Sequence, residues 1–146
     1  MTGWARVAVP TVLTVTLVLS GCSRDAEEAT EDGYHPAEVE EVANLDVKRV
    51  TLTEDGAEQI ALETAVAVQD GEHVVVPYAA LIYDGTGVPW VYVNGEALAF
   101  LRHEVVVDRI EGDRVLVSEG VQPGDRVATV GATEVYGAEL GIDGGH

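Results

Sequence analysis

The chain has 146 residues and a formal net charge of −18 at pH 7, with 26 Asp and Glu against 8 Lys and Arg. That balance excludes a nucleic-acid footprint, since phosphates demand a basic surface, and it excludes a polybasic grip on anionic lipid. A single cysteine rules out an internal disulfide framework.

In chain order, Arg6 precedes an apolar run from Val7 to Leu19, broken by Pro10 and threonines, that ends in Leu19-Ser20-Gly21-Cys22. A charged start, an apolar stretch and a small-residue cleavage site are the layout of a secretory signal peptide. The last four residues resemble a bacterial lipobox, in which the chain is cut between Gly21 and Cys22 and the thiol is diacylated. The alternatives are a plain signal peptide with an incidental cysteine and a membrane-spanning anchor. Val7 to Gly21 falls short of the roughly 20 residues a spanning helix needs. The expectation is a lipoprotein signal peptide over 1–21 and a mature chain outside the cytoplasm, anchored at Cys22 by two acyl chains.

From Ser23 to Asp46 acidic residues far outnumber the one base, Arg24, and apolar side chains are few and small. Such a segment buries too little to offset its ordering entropy, so 22–47 reads as a disordered acidic tether. His35 lies in it without any ligand spacing.

From Lys48 the texture changes to short β-branched runs between turn residues. Val50-Thr51-Leu52 reads as a strand, and Thr53 is placed to cap one short helix with Glu54 and Asp55 in its first turn. Leu62 to Val68 alternates with period two, as a strand does, and Gln69-Asp70-Gly71-Glu72 turns the chain. His73 to Val76, closed by Pro77, then Val88 to Val93, Leu98 to Asp108, Arg114 to Val117 and Arg126 to Val130 read as further strands. Asn94-Gly95 is a strong hairpin signal, and Pro123-Gly124-Asp125 a turn signal. The pattern predicts a mainly β domain over 48–138, a small antiparallel sandwich or barrel-like fold with one short helix. Residues 139–146 read as a flexible Gly-rich tail.

Catalytic chemistry is not assembled in this sequence. His35, His73, His103 and His146 are scattered, and Ser23 and Ser118 sit in no nucleophile elbow. Gly85-Thr86-Gly87 lacks the lysine and helix of a phosphate cradle. No EF-hand series occurs. The reading is a non-enzyme with no cofactor and no metal site.

Two blocks carry a resemblance. One is Val74-Val75-Val76-Pro77-Tyr78-Ala79-Ala80-Leu81 followed by Trp90-Val91-Tyr92-Val93. The other runs from Gly112 to Val127 through Val121-Gln122-Pro123-Gly124-Asp125 and ends in Val130-Gly131-Ala132. Together they resemble the C-terminal, membrane-proximal portion of periplasmic adaptor subunits, the HlyD-like membrane fusion proteins of RND-type efflux systems. Val121 stands where that family usually has leucine. A third block, Val50 to Val66, resembles the opening strand of such adaptors. The lipoyl-like domain, helical hairpin and β-barrel that separate opening from closing segments in the family have no counterpart here, and Gln69 to Glu72 joins the two directly.

The resemblance implies a non-catalytic module that packs against an inner-membrane transporter, with Pro77, Asn94, Gly95, Pro123, Gly124 and Asp125 as structural turn residues. Exposed aromatics Tyr83, Trp90 and Tyr92 are the candidate partner contacts, with core packing as their alternative. The expected function is a lipid-anchored accessory module on an efflux-type transporter complex. The alternatives are a surface lipoprotein that binds a small ligand or metal ion through His73 or His103 beside Asp108 or Glu104, and a remnant structural lipoprotein of the cell envelope.

Overall fold

The computed structural model describes residues 35–142. The expected signal peptide, the Gly21–Cys22 cleavage and lipidation site, the tether as far as residue 34 and residues 143–146 lie outside these.

The first described element corrects the tether's boundary. Strand β1 (Ala37–Glu41) pairs antiparallel with β2 (Lys48–Leu52), with Val39 opposite Val50. Its acidic side chains do not prevent this because β1 is an edge strand, where carboxylates stay in water while the backbone gains a partner. Helix α1 (Glu54–Gln59) forms where expected: the Thr53 side chain accepts a hydrogen bond from the Gly56 amide at 3.0 Å. At Gly56 a Cβ would stand 2.2 Å from the Pro36 carbonyl oxygen, so glycine lets the chain leading into β1 cross the helix.

The run from Leu62 to Val68 is two strands, β3 (Glu63–Val66) and β4 (Val68–Asp70), divided at buried Ala67. A hairpin through Gly71 leads to β5 (His73–Pro77). After a 3₁₀ turn at Tyr78–Ala80 come β6 (Ile82–Tyr83) and β7 (Pro89–Asn94). The long strand expected from Leu98 to Asp108 is also two, β8 (Ala99–Glu104) and β9 (Val106–Glu111), divided at buried Val105. Strands β10 (Arg114–Glu119) and β11 (Arg126–Val130) follow, and a second helix, α2 (Ala132–Glu139), joins the one expected. The tail's expected start is corrected accordingly: Glu139 is the last residue of α2 and is buried.

The strands form two antiparallel sheets. The larger has the order β1-β2-β8-β7-β11-β3, with β6 added beside β7, and the smaller has β4-β5-β10-β9. Neither closes into a barrel; they pack as a sandwich. Ala67 and Val105 are the corners where the chain passes from one sheet to the other, a usual device of packed sheets. Both are anchored through the backbone, Ala67 to Asp125 and Gly124, and Val105 to Pro89.

Alternation along the strands divides the interior into two cores. Val91 and Val93 of β7 and Val127 of β11 face Val74, Val76, Val115 and Val117 of the smaller sheet. Tyr92 and Ala128, one residue out of phase, point the opposite way and pack with Val50, Leu52, Phe100 and, from α2, Ala132 and Val135. The larger sheet is thus buried on both faces in its middle. Each fully buried valine contributes about 1.5 to 3 kcal/mol relative to exposure. Both cores therefore matter to stability.

Candidate functional site

The turn residues singled out from the sequence act at the corners. Asp125 Oδ2 accepts from the Gln122 amide at 2.8 Å and so closes the Pro123-Gly124 turn. The same turn holds the β3–β4 corner: Ala67 N donates to Asp125 O at 2.7 Å, and Gly124 N donates to Ala67 O at 2.8 Å. Pro77 ends β5 and leads into the 3₁₀ turn. Asn94-Gly95 departs from the expected tight hairpin. Asn94 Nδ2 donates to the carbonyls of Ala97 and Ala99, and the positive φ falls on Ala97, in a longer loop between β7 and β8.

The three aromatics proposed as contacts separate. Tyr83 is half exposed on β6. Trp90 is partly buried; its Nε1 donates to Asp84 Oδ2 at 3.2 Å, and the Arg102 guanidinium lies 4.3 Å from its ring centroid. Tyr92 is wholly buried, which removes it as a contact. Strand alternation gave it the right phase to be either exposed or inward. The helix that covers its face, α2, decides which.

Asp84 organises the turn before β7. Its Oδ1 accepts from the Thr86 hydroxyl at 2.7 Å, the Thr86 amide at 2.8 Å and the Val88 amide at 3.0 Å. The Thr86 side-chain bond, opposed in part by lost hydration and helped by the Val88 and Thr86 amides and by Trp90, holds its carboxyl far below the ordinary carboxylate range. An Asx turn of this kind is why Asp84-Gly85-Thr86-Gly87 folds as a tight loop.

The feature that sequence reading missed is a polar cluster under α2. Glu139 is 3% exposed. It accepts from Tyr92 Oη, from Arg102 Nη2 at 3.1 Å and from the Lys48 amide at 3.2 Å. Arg102 lies directly opposite Tyr92 across the β7–β8 ladder and is covered by the rings of Trp90 and Tyr136, 4.3 and 5.1 Å from their centroids, while its buried Nε has no hydrogen-bond partner among the described residues. Burial, then the hydrogen bond to Glu139, pushes the Tyr92 hydroxyl far above the usual phenol range. The legible signal was Gly141. It has positive φ just past the helix, and the amides of Gly141 and Ile142 return to the carbonyls of Ala138 and Gly137, as at a glycine-capped helix end.

Of the described histidines, His73 meets one acid and His103 a backbone carbonyl. His73 Nε2 lies 2.9 Å from Asp108 Oδ2, and Ser118 Oγ is 3.4 Å from the other oxygen of the same carboxylate. The serine is turned to the aspartate and not to the imidazole, so the trio lacks the nucleophile–base contact of acyl-transfer chemistry. His103 Nδ1 donates to the Gly120 carbonyl at 3.0 Å. Shallow grooves of about 600, 640 and 470 Å³ share His103 in their walls, the first with Trp90 and Glu104 as well. Among the described residues no three His, Cys, Asp or Glu side chains gather as a metal cluster.

Gly120 brings the β10–β11 loop against the β8–β9 corner. Its φ is +99°, and a Cβ there would stand 2.0 Å from the Glu104 carbonyl oxygen. Thus the glycines and the Pro-Gly-Asp turn of the second sequence block position backbone, and carry no reactive group.

Residues 72–134 match the family model described as RND MFPs, C-terminal permuted SH3 domain. This stretch is the unit from β5 to β11 with the first turn of α2, under half of the chain. No curated protein and no solved structure matches the chain. The β1–β2 hairpin, α1 and β3 lie outside the matched stretch, yet β2 pairs with β8 and β3 with β11 inside it. Strands β2 and β3 of the opening segment therefore share the larger sheet with β8 and β11, while β10 of the closing segment pairs with the β4–β5 hairpin in the smaller one.

Proposed function

We propose that this chain is a lipid-anchored, extracytoplasmic accessory module that docks on an efflux-type membrane transporter complex and is not itself catalytic. The observation that carries this reading is the match of residues 72–134 to the C-terminal domain of RND membrane fusion proteins. The Leu19-Ser20-Gly21-Cys22 segment supports the anchor, with the acidic residues after Cys22 as spacer. Confinement to the membrane plane raises the effective concentration of a membrane-embedded partner, so a modest interface suffices. Of the three expected aromatic contacts, Tyr83 is the one placed for it, since it is half exposed while Tyr92 is buried.

A second reading, a small-ligand-binding lipoprotein, draws on the groove that Trp90, His103 and Glu104 share.

The test is an in-membrane crosslinking pull-down of the full chain from the cells that make it, with Cys22→Ala as control. Recovery of a polytopic transporter, lost with Cys22→Ala, is the expected result. Recovery of nothing above the control would overturn the accessory-module reading and leave the groove for ligand screens.

A further inference from the structure

Strand β8 outruns the neighbour on one of its sides. Its register with β2 sets Thr51 opposite Ala99, Val50 opposite Phe100 and Arg49 opposite Leu101, and stops there. On the other side β7 stays paired with it as far as Glu104. Backbone groups alternate sides along a strand. Leu52 N donates to Leu98 O on the β2 side, and Val105 N donates to Pro89 O on the β7 side. Phe100, Arg102 and Glu104 therefore turn their backbone groups toward β2. Where the ladder would continue, the Lys48 amide leaves it and donates to Glu139 Oε1 at 3.2 Å. The Arg102 carbonyl and the Glu104 amide are left without a partner among the described residues.

Both residues wall the groove of about 600 Å³ that also takes in Trp90 and Leu101. Buried Val47 bounds it where the chain enters β2, and Gly120 bounds it against the Glu104 carbonyl. The Arg102 side chain is 10% exposed, and its buried Nε also lacks a partner. This wall is short of polar partners, which a folded chain seldom leaves unmatched. Asp46 and Glu104 line the same groove, and neither is in an ion pair among the described residues.

We propose that this groove binds a short extended peptide, an apolar residue flanked by basic ones, as an added length of strand beside β8. An acceptor at Arg102 and a donor two residues on, at Glu104, match the N–H and C=O of one extended residue set opposite His103. Alternation then places that residue's side chain on the face of Leu101 and His103. Its neighbours fall on the face of Trp90 and Glu104, where a lysine or arginine meets a carboxylate and an indole ring. The carboxylates of Asp46 and Glu104 select a basic peptide and repel a second copy of this acidic chain. The inference gives the groove of the second reading its ligand class and does not require the transporter.

The experiment titrates the isotope-labelled full chain in detergent with the capped tripeptide acetyl-Lys-Leu-Lys-amide and follows backbone amide resonances. The Glu104 amide is expected to shift with saturation and its hydrogen exchange to slow. An analogue methylated on the leucine nitrogen, which loses only the N–H that Arg102 O accepts, should bind about tenfold more weakly. Glu104→Lys, at an exposed side chain, should weaken acetyl-Lys-Leu-Lys-amide and strengthen acetyl-Glu-Leu-Glu-amide. No shift at the groove up to about 10 mM peptide overturns the inference. Equal binding of the methylated and unmethylated peptides overturns the strand pairing while leaving the groove a small-ligand site. Binding that Glu104→Lys leaves unchanged overturns the charge selection and the proposal with it.

Discussion

Arg102 and Glu139 stand 3.1 Å apart inside the domain, 10% and 3% exposed, and so tie the C-terminal helix to the middle of the larger sheet. The pair joins elements distant in the chain, and the Lys48 amide at the start of β2 donates to the same carboxylate. Breaking one side of a buried ion pair leaves the other uncompensated, which costs far more than the pair itself contributes. Glu139→Ala and Arg102→Ala are each expected to lower unfolding free energy by about 3 kcal/mol. In the double variant the losses fall well short of additive, which a double-mutant cycle in urea measures.

Tyr92 gives the cluster a signature at alkaline pH. The folded chain holds the phenolic proton more tightly than the unfolded chain, whose value is near 10.0. The proton's contribution is therefore complete below about pH 10 and is lost as pH rises above it. Thermal midpoints should fall above that point in the native chain, and this alkaline fall should flatten in Tyr92→Phe.

Asp84 predicts the opposite dependence. Its carboxyl sits below the ordinary value of 3.8 in the folded chain. Its contribution is present above that value and is lost as acid drives the proton on. Asp84→Asn should lower stability at neutral pH and reduce the loss seen between about pH 5 and about pH 2. Denaturant midpoints across that range provide the check. Trp90 fluorescence, reporting on the ring that donates to Asp84, should shift in parallel.

Two glycines of the β10–β11 connection should differ although both have positive φ. At Gly120 a methyl would meet backbone, the Glu104 carbonyl; at Gly124 it would meet open space. Gly120→Ala is expected to cost about 3 kcal/mol, since overpacking adds to strain, whereas Gly124→Ala costs about 1 kcal/mol from φ alone. Equal losses in chemical denaturation would contradict this account.

The middle of the fold was legible because its signals are local. Pro77 and Pro123-Gly124-Asp125 punctuate strands whose valines alternate, and Thr53 with Glu54 and Asp55 marks a helix start. The corners were not legible. Ala67 and Val105 continue the alternation of the runs they divide, so nothing in the chain distinguishes a strand that stays in its sheet from one that crosses to another. The acidic strand β1 was missed for a related reason: composition weighs side chains, while an edge strand gains from backbone pairing.

By itself the sequence determined the β class, the order of turns, the acidic surface and the blocks that match residues 72–134, because alternation, proline and glycine act within a few residues. The tertiary structure alone decided that Tyr92 faces inward, that Arg102 finds Glu139 and that α2 covers one face of the larger sheet. Each of these depends on which element covers a given face of the larger sheet. That is settled by contacts across tens of residues, which no local pattern encodes.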